Sequence, residues 1–114
     1  MKPGSSQTMD QTPIRGAVLP RANVYFDGRC VSHTVQLDDG SRQSVGVILP
    51  GSELVFGTAA PEVMLGAGGW CEWRMLGDQA WQRCAEGERF SVPGDSRFEI
   101  RTGDEAYHYV CQYG

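Results

Sequence analysis

From Asn23 onward, short apolar and β-branched runs alternate with turn signals. The runs cover residues 24–26, 30–37, 44–49, 54–58, 70–76, 90–92, 98–101 and 107–113. Between them stand DDGS at 38–41, PGS at 50–52, GAGG at 66–69, GDQ at 77–79 and PGDS at 93–96. Many short strands at this spacing predict a sandwich or barrel. No long stretch carries a helical period. Strand parity gives the facing. Cys71, Trp73 and Met75 share one side and the charged Glu72 and Arg74 the other, so the first set is expected inside. The same argument turns Tyr107, Tyr109, Cys111 and Tyr113 inward, with Leu54, Phe56 and Thr58, and with Phe98 and Ile100. The expected interior is aromatic with a few polar tips. It serves either as a core or as a ligand cavity, and a buried Tyr needs a hydrogen-bond partner in both.

Composition narrows this picture. A chain of 114 residues forms one domain with one core, and 40% hydrophobic content excludes wholesale disorder. No apolar run approaches the roughly 20 residues that span a bilayer. A net charge of -4 argues against general nucleic-acid or acidic-membrane binding. Residues 1–20 are polar, punctuated by Pro and Gly, and aperiodic; they are expected to form a flexible tail before a domain over 21–114. The tail shows no apolar segment of signal-peptide type, so the expected compartment is the cytoplasm and the four thiols, Cys30, Cys71, Cys84 and Cys111, are expected to be reduced. None of them stands in a short metal-ligand spacing.

Two segments share a frame. In FGTAAPEVMLGAGG, Phe56 and Thr58 precede Glu62, with Gly68 or Gly69 following; in GERFSVPGDSRF, Gly87 and Pro93 precede Phe98, with Gly94 one place early. This frame resembles the two-part cupin signature, which implies a jelly-roll β-barrel. Three of the four metal-ligand positions, at Phe56, Thr58 and Phe98, carry poor transition-metal ligands, and a lone Glu62 does not hold iron, manganese or zinc. A metal-dependent oxygenase or isomerase therefore fails on ligand count.

The blocks NVYFDG (23–28), SVGVILPG (44–51), FGTAAPEVM (56–64), Trp81, FSVPG (90–94) with Phe98, and YVCQY (109–113) extend the likeness over nearly the whole domain. In that order and spacing the chain resembles the small metal-free pyrimidine/purine nucleoside phosphorylases. It departs from them in its long leader and in the Trp-Cys-Glu-Trp run at 70–73, where Trp73 is expected to narrow the cavity. The resemblance implies phosphorolysis of purine and pyrimidine nucleosides to free base and pentose 1-phosphate, without cofactor. Phosphate must be aimed at the anomeric carbon, the sugar oriented, and the departing base given a proton or hydrogen bond. The alternative is a non-catalytic cupin that binds a small ligand.

Residues are assigned to these tasks as expectations. Glu62, with Thr58 beside it, is the candidate catalytic group, either bonding sugar hydroxyls or protonating the base. Aromatic faces accept any base, so Phe56, Phe98, Trp73, Tyr109 and Tyr25 are the candidate base contacts. Arg42, Arg29 and Ser44 are the candidate phosphate ligands. Arg97 ranks after them, and Arg74 and Arg101 fall on outer faces. His33 and His108 are expected at the surface, outside any nucleophile–base pair. An open sheet edge leads us to expect a homodimer.

Overall fold

The computed structural model describes residues 12–114. Among the described residues eleven strands form: β1 (Ala17–Val18), β2 (Asn23–Tyr25), β3 (Cys30–Gln36), β4 (Arg42–Ile48), β5 (Glu53–Thr58), β6 (Glu62–Gly68), β7 (Trp70–Met75), β8 (Gln82–Ala85), β9 (Arg89–Val92), β10 (Ser96–Thr102) and β11 (Tyr107–Tyr113). The first eleven residues of the expected tail lie outside the described residues. At its other end, Ala17 and Val18 pair with Gln36 and Val35, so strand pairing begins before residue 21.

The strands make two antiparallel sheets. The larger runs β1-β3-β4-β11-β6-β9, with β2 also paired to β3; the smaller runs β5-β10-β7-β8. The architecture is all-β, as the spacing predicts, and is the jelly roll that the cupin resemblance implies. Its hydrogen bonding does not close into a continuous barrel; the sheets face one another as two layers with free edges.

Inward residues line up across strands. Phe98 stands opposite Phe56 on one side and Met75 on the other, and Ile100 stands between Leu54 and Trp73. Phe98 and Ile100 are fully buried, each worth about 1.5–3 kcal/mol of burial. From the facing sheet Phe90 stacks on Trp73 at 4.3 Å and meets Phe98 edge-on at 6.0 Å. One end of the interior is thus packed solid. Cys71 and Cys84 face each other there, and the Tyr107 hydroxyl lies 3.8 Å from the Cys84 sulfur. All four cysteines are free and buried.

Besides β1, two strands escape the sequence pattern. In β6, Gly66 sits where GAGG reads as a turn. A Cβ there would lie 2.3 Å from the Ala85 carbonyl oxygen, so the strand needs glycine to pass under the β8–β9 loop. Gly66 N–H donates to Glu88 O at 2.8 Å, and Gly87 N–H donates to Gly66 O at 3.0 Å. In β8 only Cys84 is fully buried, too short a pattern to detect.

Candidate active site

The other end of the interior is hollow. A cavity of about 260 Å³ opens between the sheets, just under the roughly 300–1,000 Å³ usual for small-molecule sites. Its two walls differ in chemistry because they come from different sheets.

The smaller sheet supplies Val55, Phe56 and Phe98. Phe56 and Phe98 stack at 5.6 Å, and Phe26, from the turn after β2, meets Phe56 edge-on at 5.3 Å. That turn is strained: Phe26 and Asp27 have φ of 53° and 54°, a left-handed conformation costing about 1–2 kcal/mol per non-glycine residue. Tyr25 and Phe26 stay substantially exposed at the mouth.

The larger sheet supplies Ser32, Ser44, Glu62, Met64, Tyr109, Cys111 and Tyr113. Cross-strand register assembles them: Cys111 stands between Ser44 and Met64, and Tyr113 faces Glu62. The Ser44 and Tyr113 hydroxyls are 2.6 Å apart. The Cys111 thiol donates to Glu62 Oε1 over 3.5 Å. The Tyr109 hydroxyl and Cys30 sulfur are 3.4 Å apart. Tyr109 needs Gly46 beneath it, since a Cβ on Gly46 would come within 2.7 Å of its ring.

Partial burial raises the Glu62 pKa above the ordinary carboxylate value, and the Cys111 hydrogen bond acts weakly against that rise. Burial also pushes the Cys111 thiol up to about 12, aided by the Glu62 charge. Tyr113 is likewise raised to about 12 by burial. At neutral pH this wall therefore offers proton donors at Cys111, Tyr109 and Tyr113 around one carboxyl group that favours its protonated form more than usual. Among the described residues, no group of three or more His, Cys, Asp or Glu side chains gathers to hold a metal ion.

The structure brings together Glu62, Ser44, Phe56, Phe98, Tyr109 and Tyr25 of the expected residues. The other four do not line the cavity. Thr58 is buried, but its hydroxyl donates to Pro93 O at 2.7 Å and accepts from Ser96 N–H at 3.1 Å, clasping the turn before β10. Trp73 lies in the packed end against Phe90 and leaves the cavity unnarrowed. Arg29 donates to Ser52 Oγ at 3.0 Å and to the Pro50 carbonyl, tying the Phe26 turn to the β4–β5 loop. Arg42 is exposed, with its guanidinium 4.9 Å from the Tyr113 ring centroid. Sequence reasoning missed Phe26, Ser32, Cys111 and Tyr113 as lining groups. Parity already turned Cys111 and Tyr113 inward; nothing in the pattern marked Phe26.

Comparison with known proteins completes the picture. Residues 20–113 match the family model described as pyrimidine/purine nucleoside phosphorylase. A pyrimidine/purine nucleoside phosphorylase of Paracidovorax citrulli is 56% identical over 98 residues, 86% of this chain and 91% of that protein. A crystal structure of a protein of unknown function from Acinetobacter sp. ADP1 is 40% identical and superposes with a TM-score of 0.82, over 86% of this chain and 93% of that one. The cupin domain of an Enterobacter cloacae transcriptional regulator shares the fold at 15% identity, with a TM-score of 0.62 over 75% of this chain and 98% of that one.

Proposed function

The chain belongs to the pyrimidine/purine nucleoside phosphorylase family, and from that premise we propose how its cavity cleaves nucleosides with phosphate. The observation that supports the reading is the division of the cavity into an aromatic wall and a hydroxyl–carboxyl wall. A nucleoside has the same division. Its base stacks on Phe56, backed by the buried Phe98 ring, a face that presents no hydrogen-bonding edge and so accepts purines and pyrimidines alike. Its sugar and the phosphate meet Ser32, Ser44, Tyr113 and Glu62.

In the reaction a phosphate oxygen forms the bond to the anomeric carbon while the carbon–nitrogen bond to the base breaks. The transition state has oxocarbenium character, by analogy with glycoside cleavage. The electron pair of the broken bond goes to the base, which takes a proton. Glu62 is the group we assign to that proton, because its raised pKa keeps it a better donor than an exposed carboxyl group. Ser44 and Tyr113 orient the sugar, and Arg42, over the Tyr113 ring, is the cation we assign to phosphate. Thr58 and Trp73 act through packing. No metal takes part in this reading, since the cupin ligand positions hold Phe56, Thr58 and Phe98, whose groups are poor donors to one.

We place the protein in the cytoplasm, in keeping with its four free thiols. We also propose a homodimer that buries the outer face of the larger sheet. By strand parity Val31, Val45, Val47, Val63, Leu65 and Val110 share that face, an apolar patch for a second copy to cover.

The deciding experiment is release of free base from a panel of nucleosides by chelator-treated protein, with and without phosphate. Release that requires phosphate and survives chelation is expected. Nucleoside binding without phosphate-dependent release would leave a ligand-binding cupin and overturn the catalytic reading.

A further inference from the structure

Phe26 is the unabsorbed feature of this cavity. It is a large aromatic side chain at the mouth, 42% exposed, and its backbone holds a conformation that bulky residues avoid. Asp27 beside it holds the same conformation. Such a turn persists only where its surroundings fix it, and here they do. Arg29 N–H donates to Phe26 O at 3.1 Å, and Leu49 N–H donates to Arg29 O at 2.9 Å. The Arg29 guanidinium binds Ser52 Oγ at 3.0 Å, and Ser52 in turn donates to Leu49 O at 2.8 Å. The turn is thus bolted to the β4–β5 loop through both backbone and side chain. The result is a Phe26 ring held edge-on to Phe56 where the stacked pair Phe56–Phe98 reaches the opening.

We propose that Phe26 is a further aromatic contact of the nucleobase, beside Phe56, and that Arg29 positions it rather than holding phosphate. The proposal rests on the nucleoside-phosphorylase reading. A base laid against Phe56 meets the Phe26 ring at the mouth. That ring carries no donor or acceptor, so it accepts purines and pyrimidines alike.

The test uses steady-state kinetics with inosine or uridine and phosphate varied in turn, together with equilibrium dialysis of each nucleoside. Phe26→Asn removes the ring, yet Asn tolerates the left-handed backbone better than most residues. It is expected to raise KM and Kd for both nucleosides about tenfold, with KM for phosphate unchanged. Phe26→Tyr keeps the ring and should keep the affinity. Arg29→Ala should move the nucleoside terms in the same direction and leave phosphate alone. Unchanged nucleoside constants in Phe26→Asn would overturn the contact. A rise confined to the phosphate KM in Arg29→Ala would overturn the positioning role. If the wild type binds nucleosides but shows no phosphorolysis, the functional reading fails alone and dialysis still judges Phe26. If the wild type binds neither nucleoside, both fall.

Discussion

The two walls of the cavity are built from the same fold by opposite means. On the aromatic wall, Phe56 and Phe98 continue the packed core: Phe98 is 1% exposed and also touches Phe90. Phe56, the ring we propose for the base, rests on Phe98, which helps hold the sheets together. On the polar wall, Glu62 and Tyr113 are only partly buried, and their neighbours answer them with single hydrogen bonds. Burying polar groups costs stability unless each is matched. One wall therefore stabilises the protein, and the other is maintained at a cost that fits the chemistry we propose for it. Damage should separate accordingly: turnover falls on the polar side, folding on the aromatic side.

The largest separation is expected from Glu62→Gln. Gln keeps the shape and accepts the Cys111 hydrogen bond but cannot supply the proton. We expect kcat to fall about 10²–10⁴-fold, the usual worth of a general acid, with the nucleoside KM nearly unchanged. Stopped or continuous assay of base release measures it. A variant that keeps its kcat and loses only affinity would move Glu62 from proton donor to sugar ligand.

Phe98→Ala should do the converse. Removing a fully buried ring that bridges Phe56, Phe90 and Met75 costs about 3–5 kcal/mol, a large share of the 5–15 kcal/mol typical of a domain. Urea or thermal unfolding reads it directly. A loss below about 1 kcal/mol would mean that the ring lines the cavity without bearing on the core, and the contrast between the walls would collapse.

Much of this contrast was legible in the sequence. Period-two alternation fixed the facing of β5, β7, β10 and β11 because each has a clear apolar side. It placed Tyr109, Cys111 and Tyr113 inward for the same reason. Glu62 emerges from the cupin frame alone, and Phe98 from both the frame and the periodicity. Illegible were features that depend on a partner distant in the chain. Gly66 looks like a turn until the Ala85 carbonyl is seen above it. Arg29 looks like a free cation until Pro50 and Ser52 are seen to take two of its donors. Trp73 and Phe56 are both inward aromatics by parity. Only the position of Phe90 decides that one is core and the other borders the cavity. Phe26 was hidden most completely, because a left-handed backbone at a bulky residue is the reverse of what local preference predicts.

The smallest effect expected is also the one that tests the cost of the polar wall most directly. Burial raises the Glu62 pKa above its ordinary 4.5, with the Cys111 bond opposing weakly. The native state thus binds the Glu62 proton more tightly than the unfolded chain does. Below about pH 4.5 both states are protonated and Glu62 carries no charge penalty. As pH rises through the raised native value, the native protein must ionise a half-buried group, and stability is lost relative to the acidic reference. Gln is neutral throughout. Glu62→Gln should therefore be slightly more stable than the wild type at pH 7, with the advantage shrinking to nothing as pH falls toward 4.5. Parallel thermal unfolding of the two proteins across that interval measures the difference, and any background from other titrating groups cancels between them. A gain that grew on acidification would mean that the native state lowers the Glu62 pKa instead. The carboxylate would then be stabilised by its surroundings, unsuited to giving a proton to the base, and the polar wall would hold its charge without strain.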